Sequence, residues 1–175
     1  MILYGGKMEK YRLKFMLDYE CNCLWGFDER TQNKYGYNID DLTVLGLSEE
    51  AIKLNELVMK LYWTSLNPIY QNFPSFWSGE MHKYFQEKVI ELYNKIKNEV
   101  GNLYEIILHE TAKKIVEEKI NIVQINKLLQ DFVTDPINNI SEKIYVHDKI
   151  KKEIIESYNE WKEKENNILI NNGYK

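Results

Sequence analysis

The chain has 175 residues, of which 44% are apolar, 13% aromatic and 29% charged, a composition typical of one globular domain and not of a disordered segment. Its 23 basic and 27 acidic side chains give a formal net charge of -4, which argues against broad nucleic-acid binding because that activity needs a basic face. No apolar run approaches the roughly 20 residues of a membrane span, and the N-terminus lacks the apolar core of a signal peptide, so we expect a cytoplasmic protein without a membrane partner.

The first predicted element is a β-strand over residues 11–17, in which apolar residues fall at every second position. Residues 4–7 are encodable by a purine-rich run that resembles a ribosome-binding site, so we expect the biological start at Met8. A continuation of the strand through residues 21–25, after a kink near Asp18, fits the pattern. Residues 26–46 are rich in Gly, Asn and Asp, which predicts irregular structure.

Two helices and a second strand follow. Ser48 and Ser78 are predicted N-caps, each followed by acidic residues and an apolar stripe at helical spacing. The first helix is expected to end near Trp63 or Thr64, and the second at Gly101 as a left-handed cap. Residues 103–108 are short and apolar, which predicts a strand that pairs with the first one in antiparallel orientation.

The C-terminal third is predicted to be helical. Residues 111–134 carry an amphipathic pattern that Asn121 either breaks or only interrupts, and the stripe stops before Pro136. Ser141 is expected to open a long final helix that ends before Gly173, with mixed Lys and Glu residues on its solvated face. Its apolar stripe also allows a homodimer through this helix.

Together these elements predict a mainly helical α+β protein. The expected core is a small two-stranded antiparallel sheet, residues 11–17 and 103–108, packed by the helices that start at Ser48 and Ser78. We expect a mixed domain over residues 1–108 and a helical extension over 109–175, which either packs on it and completes the core or forms a separate arm.

The segment between the first two helices, residues 61–80, is unusually aromatic for a connection, since loops are normally polar. Two of the three prolines of the chain, Pro68 and Pro74, lie in it. The aromatic side chains either close the core over the helix ends or form a surface that binds a partner protein, and the tryptophans can do the first while Tyr70 and Phe73 do the second. The candidate binding residues are Trp63, Asn67, Tyr70, Phe73, Phe76 and Trp77.

The histidines do not predict a metal centre. His82, His109 and His147 are far apart in the sequence, and none shares a helix with another at a spacing of four residues, as paired zinc ligands often do. Solvent-exposed or singly hydrogen-bonded imidazoles are the simpler interpretation, and no metal or cofactor is expected.

Nucleophilic chemistry is equally weakly indicated. Cys21 and Cys23 are separated by one residue, so they lack the Cys-x-x-Cys spacing of redox motifs, and we expect reduced thiols. Ser65 and Ser75 do not lie in a Gly-x-Ser-x-Gly turn. We therefore name no catalytic residue.

Six short motifs follow one another along the first two thirds of the chain: Tyr11-Arg-Leu-Lys-Phe, Cys-Leu-Trp-Gly ending at residue 26, Lys34-Tyr-Gly-Tyr, Leu45-Gly-Leu-Ser, Trp63-Thr-Ser-Leu-Asn and Pro74-Ser-Phe-Trp-Ser-Gly-Glu. In this order they resemble a family of small uncharacterised bacterial proteins, over about residues 11–107. The sequence departs from the family pattern at Trp63, where Asp is usual, at Pro68, where Trp is usual, and in the tail from about residue 110. Members are similar in size and occurrence to immunity proteins encoded beside bacterial toxins.

The resemblance and the lack of a catalytic motif favour a non-catalytic binding protein that inhibits a partner protein, such as an immunity protein against a toxin. The abundance of Asn, Ile, Lys and Tyr is typical of an AT-rich bacterial or phage genome, so a phage-encoded anti-defence inhibitor, for example an anti-CRISPR protein, is an alternative. A small enzyme with a site built from Glu80, His82 and the aromatic segment is the third.

Overall fold

The computed structural model describes residues 9–135 and 148–174. The proposed start at Met8, the break at Pro136, the helix start at Ser141 and His147 lie outside these residues. Within them, no helix is both long and apolar enough to span a bilayer.

The described residues form three strands, six α-helices and one 3-10 helix, which confirms the prediction of a mainly helical α+β protein. The strands are β1 (Tyr11–Phe15), β2 (Leu24–Gly26) and β3 (Tyr104–Leu108), the 3-10 helix spans Leu42–Leu45, and the α-helices are α1 (Glu29–Tyr35), α2 (Glu49–Thr64), α3 (Gly79–Val100), α4 (Glu110–Glu117), α5 (Ile122–Thr134) and α6 (Asp148–Asn171).

These elements belong to two compact units. The first unit comprises the described residues up to 59 together with 89–116, and so holds the sheet. The second comprises residues 60–88 and the described residues from 117 onward, and so holds the aromatic segment, α5 and α6. The predicted boundary near residue 108 stays a prediction.

The sheet has three strands in the order β2-β1-β3. β1 pairs with β2 in antiparallel orientation, with Leu13 opposite Gly26, and with β3 in parallel orientation, with Leu13 opposite Ile106. The prediction of a two-stranded antiparallel sheet is therefore wrong. The chain passes from β2 to β3 through α1, the 3-10 helix, α2 and α3, and a connection of this length allows β3 to run parallel to β1.

The segment predicted to be irregular, residues 26–46, contains α1 and the 3-10 helix. Asp28 caps α1: its carboxylate accepts hydrogen bonds from the Thr31 amide at 2.9 Å and the Thr31 hydroxyl at 2.7 Å, and these bonds lower the pKa of Asp28. Thr31 is buried, and its hydroxyl oxygen accepts the backbone N–H of Arg12 at 3.1 Å, which fixes α1 to β1.

The predicted caps of α2 and α3 are confirmed. The hydroxyl oxygen of Ser48 accepts the amide N–H of Ala51, and that of Ser78 accepts the amide N–H of Met81, both at 3.1 Å. The cap predicted at Gly101 is wrong, because Gly101 does not have a positive φ; its amide donates to the Lys97 carbonyl at 3.0 Å. The predicted apolar stripe of α3 is buried along its length: Met81, Phe85, Val89, Leu92, Ile96 and Val100.

Asn121 breaks the helical pattern between α4 and α5, since its side-chain oxygen accepts the amide N–H of Gln124 at 3.1 Å and caps α5. The second unit then gathers a cluster from the aromatic segment, α5 and α6, with Phe132 at its centre and fully buried. The buried members of the cluster are Phe73, Phe76, Leu129, Phe132 and Ile154.

Candidate functional site

The aromatic segment, residues 61–80, begins in the last turn of α2, and its loop is held in shape by one buried side chain, Asn67. Its amide nitrogen donates to the Pro74 carbonyl at 2.9 Å, and its oxygen accepts the backbone N–H groups of Ile69 at 3.0 Å and Tyr70 at 3.4 Å. An Asn side chain that bonds its own backbone two or three residues on stabilises a turn. Asn67 therefore supports the segment from within and does not present itself to a partner.

The aromatic residues of the segment divide into a buried group and an exposed group. Phe73, Phe76 and Trp77 are at most 5% exposed, whereas Trp63 is 44% exposed and Tyr70 is 42% exposed. Of the two tryptophans, only Trp77 closes the core, and of Tyr70 and Phe73, only Tyr70 is exposed. Of the six predicted binding residues, only Trp63 and Tyr70 present a large surface.

The buried group forms a continuous aromatic core. Phe73 and Phe76 lie 5.8 and 6.3 Å from the Phe132 ring, measured between ring centroids. Trp77 packs edge-on against Phe85 at 5.2 Å. Such ring pairs add about 0.5–1.5 kcal/mol beyond the area that they bury, so they fix the segment as a rigid support.

The end of the segment is anchored by a buried carboxylate of α6, a helix whose Lys and Glu residues were predicted to be solvated. Glu165 of α6 is 5% exposed, and its Oε1 accepts the amide N–H of Ser78 at 2.8 Å and the Ser78 hydroxyl at 2.7 Å. Asn126 of α5 accepts the amide N–H of Gly79 at 2.7 Å and donates to Glu80 at 3.0 Å. The N-terminus of α3 is thereby fixed to both C-terminal helices.

A groove of about 620 Å³ lies between the aromatic segment and α6, within the second unit. Trp63 and Tyr70 line one side, and Trp161 lines the other, with Glu160 and Lys164 beside it. Its volume lies in the range of about 300–1,000 Å³ that is typical of ligand sites, and it can take one or two large side chains of a partner. Trp161 is a missed site residue, although its place in the apolar stripe of α6 was visible in the sequence.

The residues proposed for an enzyme do not meet in this groove. Neither Glu80 nor His82 lines it. The His82 ring packs against Trp77 at 5.3 Å, and burial lowers the pKa of His82 below its ordinary value. Among the described residues, no group of three or more His, Cys, Asp or Glu side chains is placed to hold a metal ion.

Helix α6 leaves two large aliphatic side chains partly exposed on the described residues, Ile155 at 46% and Ile170 at 56%. They leave surface for a homodimer contact, and a homodimer through this helix stays a prediction. Light scattering of the purified protein checks it directly.

A family model described as Serratia CdiI immunity protein-like matches residues 11–111, which is more than half of the chain. The chain belongs to this family. The match confirms the resemblance to immunity-type proteins over about residues 11–107. No curated protein matches the sequence.

The family model covers only one side of the groove. Trp63, Asn67 and Tyr70 lie inside the matched region, whereas α5 and α6, including Trp161, lie outside it. In this member of the immunity-protein-like family, the aromatic segment is therefore completed by helices that the family model does not include.

Proposed function

We propose that the protein is a non-catalytic inhibitor that binds a bacterial toxin, with the groove formed by Trp63, Tyr70 and Trp161 as its contact surface. Membership of an immunity-protein-like family supports toxin inhibition. The observation that carries the choice of surface is the exposure of Trp63 and Tyr70, each above 40%, on a segment in which Phe73, Phe76 and Trp77 are buried.

A rigid support makes exposed aromatic side chains effective in binding. Binding normally costs about 0.5–1.5 kcal/mol for each flexible side chain that becomes ordered, and a fixed backbone lowers this cost. Tyr70 is already held at its backbone by Asn67 and at its ring by Phe73, whose centroid lies 5.2 Å away. The segment is thus prepared to contact a partner without rearrangement.

The composition of the groove fits a protein partner. Trp and Tyr are the residue types most enriched at interface hot spots, where truncation to Ala costs about 2 kcal/mol or more. The charges beside Trp161 are one acidic and one basic, Glu160 and Lys164, so the groove itself carries no net charge and its recognition is mainly apolar. The partner should present a protruding apolar or aromatic side chain.

The test is co-expression of the tagged protein with the toxin gene at its locus, followed by purification and mass spectrometry. We expect one stoichiometric toxin partner and restored growth of toxin-producing cells. Trp63→Ala combined with Tyr70→Ala should weaken the complex by about 30-fold or more, since about 2 kcal/mol corresponds to that factor. The matched control is Tyr37→Ala, because Tyr37 is 59% exposed and does not line the groove.

Two outcomes separate the parts of this proposal. If the toxin binds the double variant as tightly as the unaltered protein, the groove is not the contact surface, although the protein is still an inhibitor. If no toxin copurifies and no growth is restored, toxin inhibition itself is wrong. A complex with a phage or defence protein in place of a toxin would favour the anti-defence alternative.

A further inference from the structure

A second cleft lies in the first unit, beside the start of β1, helix α1 and the turn from α3 to β3, and its volume is about 1370 Å³. We call it the basic cleft. Its charged lining residues are Lys10, Arg12, Arg30, Lys34 and Lys97, with Glu9 and Glu105.

The basic cleft has the opposite charge to the protein as a whole. Five cationic and two acidic side chains line it, a formal surplus of three positive charges in a chain with a net charge of -4. Charges of one sign gathered in a cleft raise the local concentration of ligands of the opposite sign. The cleft therefore selects anionic groups.

Part of this positive charge is already neutralised within the cleft. Arg12 pairs with Glu105 at 3.0 Å, and the second arginine, Arg30, lies 3.6 Å from the carboxylate of Glu9. The Lys10 ammonium donates to the Gly101 carbonyl at 2.6 Å, which is a neutral partner. The cations that remain for an external anion are thus lysines.

Lys34 and Lys97 are exposed, and neither has a carboxylate partner within residues 9–135 and 148–174. The Lys34 ammonium lies over the rings of Tyr11 at 4.3 Å and Tyr35 at 4.8 Å. Contact with aromatic faces holds an ammonium group in place without neutralising its charge. Lys34 is therefore a positioned cation with capacity for an anionic ligand.

The aromatic wall that holds Lys34 is itself fixed. Tyr35 and Tyr104 share a hydrogen bond between their hydroxyl oxygens at 3.0 Å, and Tyr11 packs edge-on against Tyr35 at 5.4 Å. Next to this wall, the apolar side chain of Leu103 is 61% exposed. The cleft thus offers positive charge, aromatic faces and one apolar contact in a small area.

We propose that the basic cleft binds an acidic, extended peptide segment of a partner protein. Its volume exceeds the range of about 300–1,000 Å³ that is typical of small-molecule sites, which favours a chain over a metabolite. The surplus of cations over carboxylates and the exposed side chain of Leu103 fit a peptide that carries both acidic and apolar side chains.

Two other occupants fit less well. A polynucleotide usually requires many unpaired basic side chains to contact its phosphates. Outside the cleft, it would also be repelled by a protein of net negative charge. The eight residues ahead of Glu9 contain Lys7 and no acidic side chain, so their charge argues against them as the occupant. The proposal goes beyond toxin inhibition and does not depend on it, because the cleft lies in a different unit from the aromatic groove.

The probe is fluorescein-labelled hexaglutamate, whose binding is followed by fluorescence polarisation at low ionic strength, where the Debye length is about 30 Å. We expect saturable binding that weakens several-fold at physiological ionic strength, where that length falls to about 8 Å. Hexalysine of the same length should not bind. Labelled oligouridylate of matched charge tests the nucleic-acid alternative.

Two double variants make the test specific. Lys34→Glu with Lys97→Glu should weaken hexaglutamate binding by about tenfold or more, because two positive charges of the cleft become negative. Lys60→Glu with Lys127→Glu changes the net charge equally, since both lysines are exposed and neither lines the cleft, and it should alter binding by less than about twofold. Lys34→Gln with Lys97→Gln removes the charges without reversing them and should shift binding in the same direction by less.

Circular dichroism must show that all variants are folded. The absence of hexaglutamate binding would overturn the proposal, as would an equal loss in the cleft variant and its charge-matched control. Tighter binding of oligouridylate would assign the cleft to nucleic acid instead. None of these results depends on whether a toxin copurifies, so each proposal can fail on its own.

Discussion

The structure contains two nearly identical serine–glutamate contacts that differ in burial. At each, a glutamate from another helix accepts the amide N–H of an N-cap serine at 2.8 Å and its hydroxyl at 2.7 Å. The pairs are Ser78 with Glu165 and Ser48 with Glu99. The Glu165 residue is 5% exposed, whereas the Glu99 side chain is 22% exposed and also contacts Lys95 at 3.2 Å.

We predict that Glu165→Ala destabilises the protein by about 3 kcal/mol, because it removes two hydrogen bonds to a buried carboxylate and a hydrogen bond to a charged group contributes about 1.5–3 kcal/mol. Glu99→Ala should cost only about 1 kcal/mol, since water can replace the lost acceptor. Glu165→Gln keeps one acceptor oxygen and loses the charge at the N-terminus of α3, so it should cost about 1 kcal/mol.

The measurement is urea unfolding followed by circular dichroism, with the free energy of unfolding compared among the three variants and the unaltered protein. A loss in Glu99→Ala that equals or exceeds that in Glu165→Ala would refute the argument that burial sets the cost. Because Glu165 also anchors the aromatic segment, its Ala variant should weaken toxin binding as well.

Phe132→Ala should lower the free energy of unfolding by about 3–5 kcal/mol because the side chain is fully buried, and Leu128→Ala, at a position 58% exposed on the same helix, should change it by less than about 0.5 kcal/mol; thermal melts compare the two. His82 has a lowered pKa, so the unfolded state binds protons more readily and stability should fall as the pH drops through the unfolded pKa of about 6.5 toward the folded pKa. The free energy of unfolding should differ less between pH 7.5 and pH 5.5 in His82→Gln than in the unaltered protein. An equal difference in both would contradict the lowered pKa of His82. Burial raises the pKa of both Cys21 and Cys23, but only Cys23 is fully buried, so a thiol reagent should label one cysteine slowly in the folded protein and both in urea; rapid labelling of both would contradict the structure.

Local signals in the sequence predicted the helices well. Ser48 and Ser78 were identified as caps because a hydroxyl before an apolar-periodic segment satisfies backbone groups within three residues, and this requires no knowledge of the rest of the fold. The end of α2 at Thr64 and the break at Asn121 follow from equally local chemistry. Helix α1 was not predicted because it buries only Thr31, so its sequence has no apolar periodicity that would indicate a helix.

The predicted orientation of β3 relative to β1 was wrong because the connection between two strands sets their orientation, and the sequences of the strands do not. The alternation in β1 and the apolar run in β3 are compatible with either orientation, and the crossover through α2 and α3 decides between them. Recognition of β2 as a separate short strand would have shown that the antiparallel neighbour of β1 is its next segment in the chain, Leu24–Gly26.

The aromatic segment could be identified from the sequence, but its residue composition could not say which of its side chains face outward. Trp63 and Trp77 are the same residue type at the two ends of one segment, and only the packing of Trp77 against Phe85 separates them. The burial of Glu165 could not be predicted either. A run of Lys and Glu residues on a helix is normally solvated, and no local signal identifies the carboxylate that is buried.

The burial of Glu165 and the exposure of Trp63 in the groove are physically linked. A helix that contributes a buried carboxylate to cap another helix must lie close to it, and Glu165 holds α6 close enough to the aromatic segment for Trp161 to form the second side of the groove. The packing of Phe73 and Phe76 with Ile154 of α6 supports the same arrangement. The polar anchor therefore contributes to the apolar groove, and a change that weakens the anchor should reduce binding even though Glu165 itself does not line the groove.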